Sequence, residues 1–235
     1  MRSLVLAVAQ PPVIPLDVAR NAVTHAAVVR ASAARVVVFP ELSLTGYELD
    51  APLLTENDPR LEPLIAACAA TDTIALAGAP VDGPSIATLV IDRGGARVAY
   101  RKQNPHHTEA RFVPGPGPEV LEVDGWRLGL AICRDVRLPD HAATLAVRGI
   151  DAYVAGVVDD PAAATDLADR ARHISTTHGV WVAFSSFAGP TGDPYPATAG
   201  RSGIWTPTGR VAARAGAAPG EIARATLFAE RLAHL

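Results

Sequence analysis

Cysteine, aromatic side chains and blocks of charge are all scarce in this chain of 235 residues. Two cysteines, Cys68 and Cys133, are too few for a disulfide framework, so a reducing compartment is expected and cytoplasmic localisation is the default. Aromatic residues are 5% of the chain against 49% hydrophobic residues overall, which predicts an aliphatic core. Lys and Arg number 21 against 24 Asp and Glu, a formal net charge of −3 with both signs mixed along the length. No basic stripe marks a nucleic-acid partner. No apolar run approaches the roughly 20 residues of a membrane span, so no membrane partner is expected either. The apolar opening, residues 4–9, is only a strand's length. It ends in Gln10-Pro11-Pro12 without a small-residue cleavage pattern and is read as structure rather than as a leader.

What is present is a rhythm of α and β elements over residues 1–235, without linker, low-complexity tract or short repeat, and a single domain is expected. Such a domain buries roughly 70–75% of its extended surface, enough for a core of its own. Strands are predicted at 4–9, 36–39 and 73–77, and helices at 16–34 and 62–70. Residues 87–91 and 97–101 pair around Arg93-Gly94-Gly95, and residues 119–123 and 126–132 around Asp124-Gly125, both hairpin signals. Between the hairpins, residues 102–118 are rich in Pro, Gly and His. A long irregular loop of this kind is often functional. A helix at 139–147, a strand at 152–158, a helix at 162–177 and a strand at 180–185 follow. Short strands at 204–205, 211–213 and 222–227 close the chain. About four helices and ten to twelve strands make an α/β protein, and the mixture of hairpins and crossovers favours two packed sheets with helices outside.

Glu41 and Cys133 each follow a strand too apolar to be anything but buried. Ligands gather at the carboxyl ends of strands in α/β folds, so the shared placement has meaning. Cys133 lies near Arg134 and Arg137 and ahead of a helix start, a setting expected to favour thiolate. Taken singly, each has an ordinary explanation: Cys133 as a buried thiol, Glu41 as a loop carboxylate, Lys102 as a solvated strand-end lysine. Cys68, among alanines, is read as a plain core thiol. His106-His107 suggests metal, but no second cluster has ligand spacing, and no metal or other cofactor is expected.

The combination is more specific. Phe39-Pro40-Glu41-Leu42-Ser43-Leu44-Thr45-Gly46-Tyr47, Tyr100-Arg101-Lys102-Gln103 and Ala131-Ile132-Cys133-Arg134-Asp135-Val136-Arg137-Leu138-Pro139-Asp140 occur in that order. Together they resemble the nitrilase, or carbon–nitrogen hydrolase, superfamily with its Glu-Lys-Cys triad. Glu109 fits the family's second glutamate, Arg172 matches an arginine of a later helix, and residues 199–209 look like its late Gly-x-Ser-x-Ile segment and closing turn. The sequence departs from the family pattern at Ser185, where asparagine is common, after Arg172, where Ala-Ile-Glu-Asn is usual, and at Arg134, often aromatic in relatives.

The resemblance implies an αββα sandwich of two mixed sheets, and a homodimer or higher homo-oligomer. It implies hydrolysis of a small-molecule amide or N-carbamoyl compound, with Cys133 as nucleophile, Glu41 as base, Lys102 at the oxyanion with the backbone N–H after Cys133, and Glu109 orienting Lys102 or the substrate nitrogen. Arg134, Val157 and Tyr47 are assigned to substrate binding. Arg134 pairs either with a substrate carboxylate or with Asp135 or another carboxylate of the protein. Amide hydrolysis is preferred to nitrile hydrolysis. Acyl transfer uses the same triad, and a catalytically inactive sandwich serving as a binding or assembly subunit is the alternative from another class.

Overall fold

Alternation of apolar runs with amphipathic stretches builds two six-stranded sheets with helices outside them, the αββα arrangement expected. The computed structural model describes residues 2–192 and 195–229. In chain order the elements are β1 (Ser3–Ala9), α1 (Val18–Ser32), β2 (Val36–Val38), α2 (Glu62–Thr71), β3 (Ile74–Val81), β4 (Ser85–Asp92), β5 (Gly95–Arg101), β6 (Val120–Val123), β7 (Trp126–Ile132), α3 (Pro139–Val147), β8 (Ala152–Val157), α4 (Ala164–His178), β9 (Trp181–Ser186), β10 (Gly203–Trp205), β11 (Val211–Arg214) and β12 (Ile222–Phe228). One sheet runs β12-β1-β2-β3-β4-β5 and the other β11-β10-β9-β8-β7-β6. Each has a parallel trio at its centre, β1-β2-β3 or β7-β8-β9, and antiparallel strands on its flanks.

Local chemistry sets the boundaries. The Asp17 side chain accepts a hydrogen bond from the Arg20 N–H at 3.1 Å and starts α1. The helix then buries Val18, Ala22, His25, Ala26 and Val29, one face at helical spacing. Asp124 and Gly125 both take positive φ, which matches the two-residue turn between β6 and β7. β2 is three valines, all buried, as a strand covered on both faces should be.

Three apolar layers follow from strand alternation. Leu6, Val8, Val38 and Leu76 meet Leu128, Leu130, Ile132 and Val154 between the sheets. Ala7, Val37 and Ala75 turn outward to α1 and α2, and Ala131, Tyr153 and Ala155 turn outward to α3 and α4. Among the described residues no helix is long and apolar enough to cross a membrane.

The structure departs from expectation at β3 and β4, which continue through Gly78 and Pro80, residues that read as breakers. Gly78 pairs with Thr88 and Pro80 with Ile86. The missing side chain at Gly78 has a different purpose, seen below.

Candidate active site

The end of β2 runs through a slot between the two sheets. A Cβ added at Gly78 on β3 would lie 2.7 Å from the Pro40 carbonyl oxygen and 2.8 Å from the Glu41 carbonyl carbon. One added at Gly156 on β8, in the opposite sheet, would lie 2.5 Å from the Phe39 oxygen and 2.8 Å from the Glu41 nitrogen. No real side chain fits at such distances, so these two glycines hold the Glu41 backbone from both sides. On the helix side, His25 Nε2 bonds Ser43 Oγ at 2.9 Å and its Nδ1 contacts the Asn21 carbonyl at 2.7 Å, which fixes the turn beyond Glu41 to α1.

Lys102 leaves β5 with its N–H on the Ile86 carbonyl and its own carbonyl accepting from Gly115, each at 2.8 Å. Gly115 is forced in its turn, since a Cβ there would come 2.7 Å from the Arg101 carbonyl carbon. Cys133 follows β7 with φ of 42°, a left-handed conformation that costs a non-glycine residue about 1–2 kcal/mol. Two residues on, the buried Asp135 accepts from the Ile132 N–H at 3.0 Å, from the backbone N–H and side-chain amide of Asn104 at 3.0 and 2.9 Å, and from the Tyr100 hydroxyl at 2.7 Å. One carboxylate thus ties the Cys133 turn to the loop that carries Lys102.

At the centre a buried ammonium sits between two buried carboxylates. Lys102 Nζ donates to Glu41 Oε1 at 2.6 Å and to both oxygens of Glu109 at 2.8 Å. Glu109 also accepts from the Tyr47 hydroxyl and the His106 N–H, both at 2.6 Å. Glu41 Oε2 has no hydrogen-bond partner among the described residues, although Glu41 and the Cys133 thiol stand close enough to act on each other's titration. A buried oxygen without a partner is costly, and a place in catalysis is a recognised reason for one.

Burial raises the Glu41 pKa to about 7; Lys102 opposes the shift and Glu109 adds to it. Burial also pushes the Cys133 thiol well above its ordinary value, with the Glu41 charge adding to the effect and Lys102 opposing it. The ammonium of Lys102 is opposed by burial, yet Glu41 and Glu109 outweigh this and raise its pKa. The expected thiolate is therefore corrected: burial and the Glu41 charge dominate at Cys133 and favour the protonated thiol.

A cavity of about 420 Å³ opens over the thiol, within the usual range for a small-molecule site. Tyr47 and Arg134 line it, as assigned from the sequence, and Glu109 reaches it beside Cys133. Val157 does not. Its side chain is wholly buried on the α3 and α4 face, because alternation along β8 sends it away from the opening. The next residue, Val158, lines the cavity instead, and its carbonyl accepts from Cys133 Sγ at 3.5 Å. His106, Asp159 and Tyr195 also line it, although nothing in the sequence had marked the last two. Among the described residues no group of His, Cys, Asp and Glu is arranged to hold a metal ion.

Arg172 lies away from the cavity and pairs with Asp169 at 3.0 Å, whereas Arg170 pairs with Asp159 at 3.3 Å. Ser185, where asparagine is usual, donates to the Ala9 carbonyl at 2.6 Å and links the sheets.

The carbon–nitrogen hydrolase family profile matches residues 5–234. A Pseudomonas protegens protein described as a hydrolase in the pqqF 5′ region is 31% identical over 165 residues, 64% of this chain and 58% of that protein. The aligned part therefore spans well under two thirds of that relative's length. Among solved structures, Saccharomyces cerevisiae Nit3, of branch 10 of the nitrilase superfamily, superposes with a TM-score of 0.83 at 20% identity, over 96% of this chain and 90% of Nit3. An amidase from Nesterenkonia sp. AN1, in a glutamate-to-glutamine mutant form, shows covalent addition of the acetamide moiety of fluoroacetamide at its active-site cysteine. It superposes with a TM-score of 0.80 at 22% identity, over 95% of this chain and 90% of the amidase. Both likenesses concern the fold. With the family profile matched over nearly its whole length, the chain belongs to the carbon–nitrogen hydrolase family.

Proposed function

We propose that this protein hydrolyses the carbon–nitrogen bond of a small amide or N-carbamoyl compound through a thioester on Cys133. The observation that carries the reading is the state of Glu41: a buried carboxylate with its pKa near 7, one oxygen on Lys102 and the other without a partner, beside a protonated thiol. A base poised near neutrality is what proton transfer at physiological pH asks for.

Glu41 takes the thiol proton as Cys133 Sγ attacks the carbonyl carbon. Negative charge that develops on the carbonyl oxygen meets the Lys102 ammonium and the Arg134 backbone N–H in the first turn after β7. Losing one such donor typically costs about 3–4 kcal/mol of barrier. Glu41 returns the proton to the nitrogen, the carbon–nitrogen bond breaks, and the amine or ammonia leaves. Water, deprotonated by Glu41, then attacks the thioester and releases the acid and the thiol. Glu109, with Tyr47 and the His106 N–H on its oxygens, holds Lys102 in place throughout. The covalent adduct at the cysteine of the Nesterenkonia amidase supports the nucleophile assignment by analogy.

The test is a panel of small amides, N-carbamoyl compounds and nitriles assayed for ammonia and repeated with Cys133→Ala. Release from the amides or carbamoyl compounds that disappears in the variant is expected. Its absence across the panel, with a folded protein, favours the inactive binding subunit.

A further inference from the structure

Among the described residues, one cation on the cavity wall has no partner of its own. Lys102 is taken up by Glu41 and Glu109, and Arg137 and Arg170 both pair with Asp159. Asp135, the protein's own candidate partner for Arg134, is occupied by Ile132, Asn104 and Tyr100. Arg134 is left half-buried on the cavity wall, with no hydrogen bond or ion pair to any described residue. Its charge is felt by His106, which also lines the cavity. His106 Nδ1 lies 2.8 Å from Thr108 Oγ1 and accepts weakly from the Thr108 N–H at 3.4 Å, a pairing that leaves Nε2 as a neutral donor. Burial, His107 and Arg134 keep this imidazole below its ordinary pKa, so it brings a donor without a further charge.

A planar guanidinium with free donors, partly withdrawn from water and joined by a neutral donor, matches a carboxylate bidentately. We propose that Arg134 selects the substrate, and that the substrate is an amide or carbamoyl compound bearing a carboxylate at the far end of its acyl part, which spans the cavity from Cys133 to Arg134. This rests on the hydrolase reading above and adds the substrate class to it.

The experiment compares the monoamides of butanedioic and pentanedioic acids with neutral straight-chain amides of the same length, in the wild-type protein, Arg134→Ala and Arg134→Lys. Charge-assisted hydrogen bonds of this kind correspond to about a 10- to 100-fold preference in kcat/KM. The wild-type protein should favour the acidic amide by that factor, carried mainly by KM. Arg134→Ala should bring the ratio of the two substrates close to one, and Arg134→Lys should keep part of it. Hydrolysis of both substrates with equal losses in Arg134→Ala, or a wild-type preference for the neutral amide, overturns the inference and leaves the hydrolase reading standing. A wild-type protein that hydrolyses neither these nor any carbamoyl compound overturns both.

Discussion

In the proposed reaction Glu41 and the Cys133 thiol exchange a proton, and burial is the largest influence on the protonation of each. Because Glu41 must be ionised to accept the thiol proton, kcat/KM on a neutral amide should fall on the acid side with an apparent pKa of about 7. Glu109 contributes to that elevation through its charge, so Glu109→Gln should move the acid limb to lower pH as well as slow the reaction. A pH profile in the two proteins checks this. A limb near the ordinary carboxylate value of 4.5, or one that Glu109→Gln leaves in place, would show that Glu41 is not the group being titrated. The resemblance carried by three motifs in order singled out Glu41, Lys102 and Cys133, and with them Glu109, and the structure brings the four together. The protonation state of the thiol was not legible, since neighbouring arginines in sequence suggested thiolate while desolvation, a property of the folded surroundings, decides the matter.

At the scale of elements, the site depends on how closely β2 passes its neighbours. Gly156 on β8 leaves room for Phe39 and Glu41 from the opposite sheet, and its side of the slot is backbone that cannot swing aside. Gly156→Ala is therefore expected to displace the Glu41 carboxylate, lowering kcat/KM by at least about 100-fold, the scale on which an ångström of misplacement acts. The overpacking should also cost roughly 1–3 kcal/mol of stability. Gly149→Ala makes a useful comparison, because a Cβ there meets nothing within 4 Å, although its φ of 72° is strained for alanine. It should lose stability with little loss of activity, and kinetics with denaturant unfolding on both variants separates the two effects. Neither Gly78 nor Gly156 was legible as part of a site. Each looks like a break or a small residue in an apolar run, and its purpose exists only when strands distant in sequence approach. Val157 was misassigned for a related reason, since the side of β8 it faces is set by the register with β7 and β9. The hairpins at Asp124-Gly125 and Arg93-Gly94, by contrast, were legible because their turn chemistry is local.

For the whole molecule, two buried groups tie stability to pH in opposite senses. Glu41 is raised from 4.5 to about 7 in the folded state, so its contribution is present below pH 4.5 and is lost as pH rises through 7. His25 is lowered by burial from 6.5 to about 4, so its contribution is present above pH 6.5 and is lost as pH falls through 4. Between pH 4.5 and 6.5 the two largely offset one another. Glu41→Gln removes one side of the balance. Relative to the wild-type protein its stability should decline by up to about 3 kcal/mol between pH 8 and pH 4.5. Urea unfolding at the two pH values measures this, and a difference that stays constant with pH would contradict it. The layered fold was legible in the sequence because each layer repeats one period of apolar residues. The slot between the sheets was not, because it depends on their mutual fit. A covalent acyl intermediate on Cys133 should be visible by mass spectrometry of protein quenched during turnover of an amide substrate. The acyl mass is expected on the peptide that contains Cys133 and not on the peptide that contains Cys68. An adduct confined to Cys68, or full activity in Cys133→Ala, would contradict it.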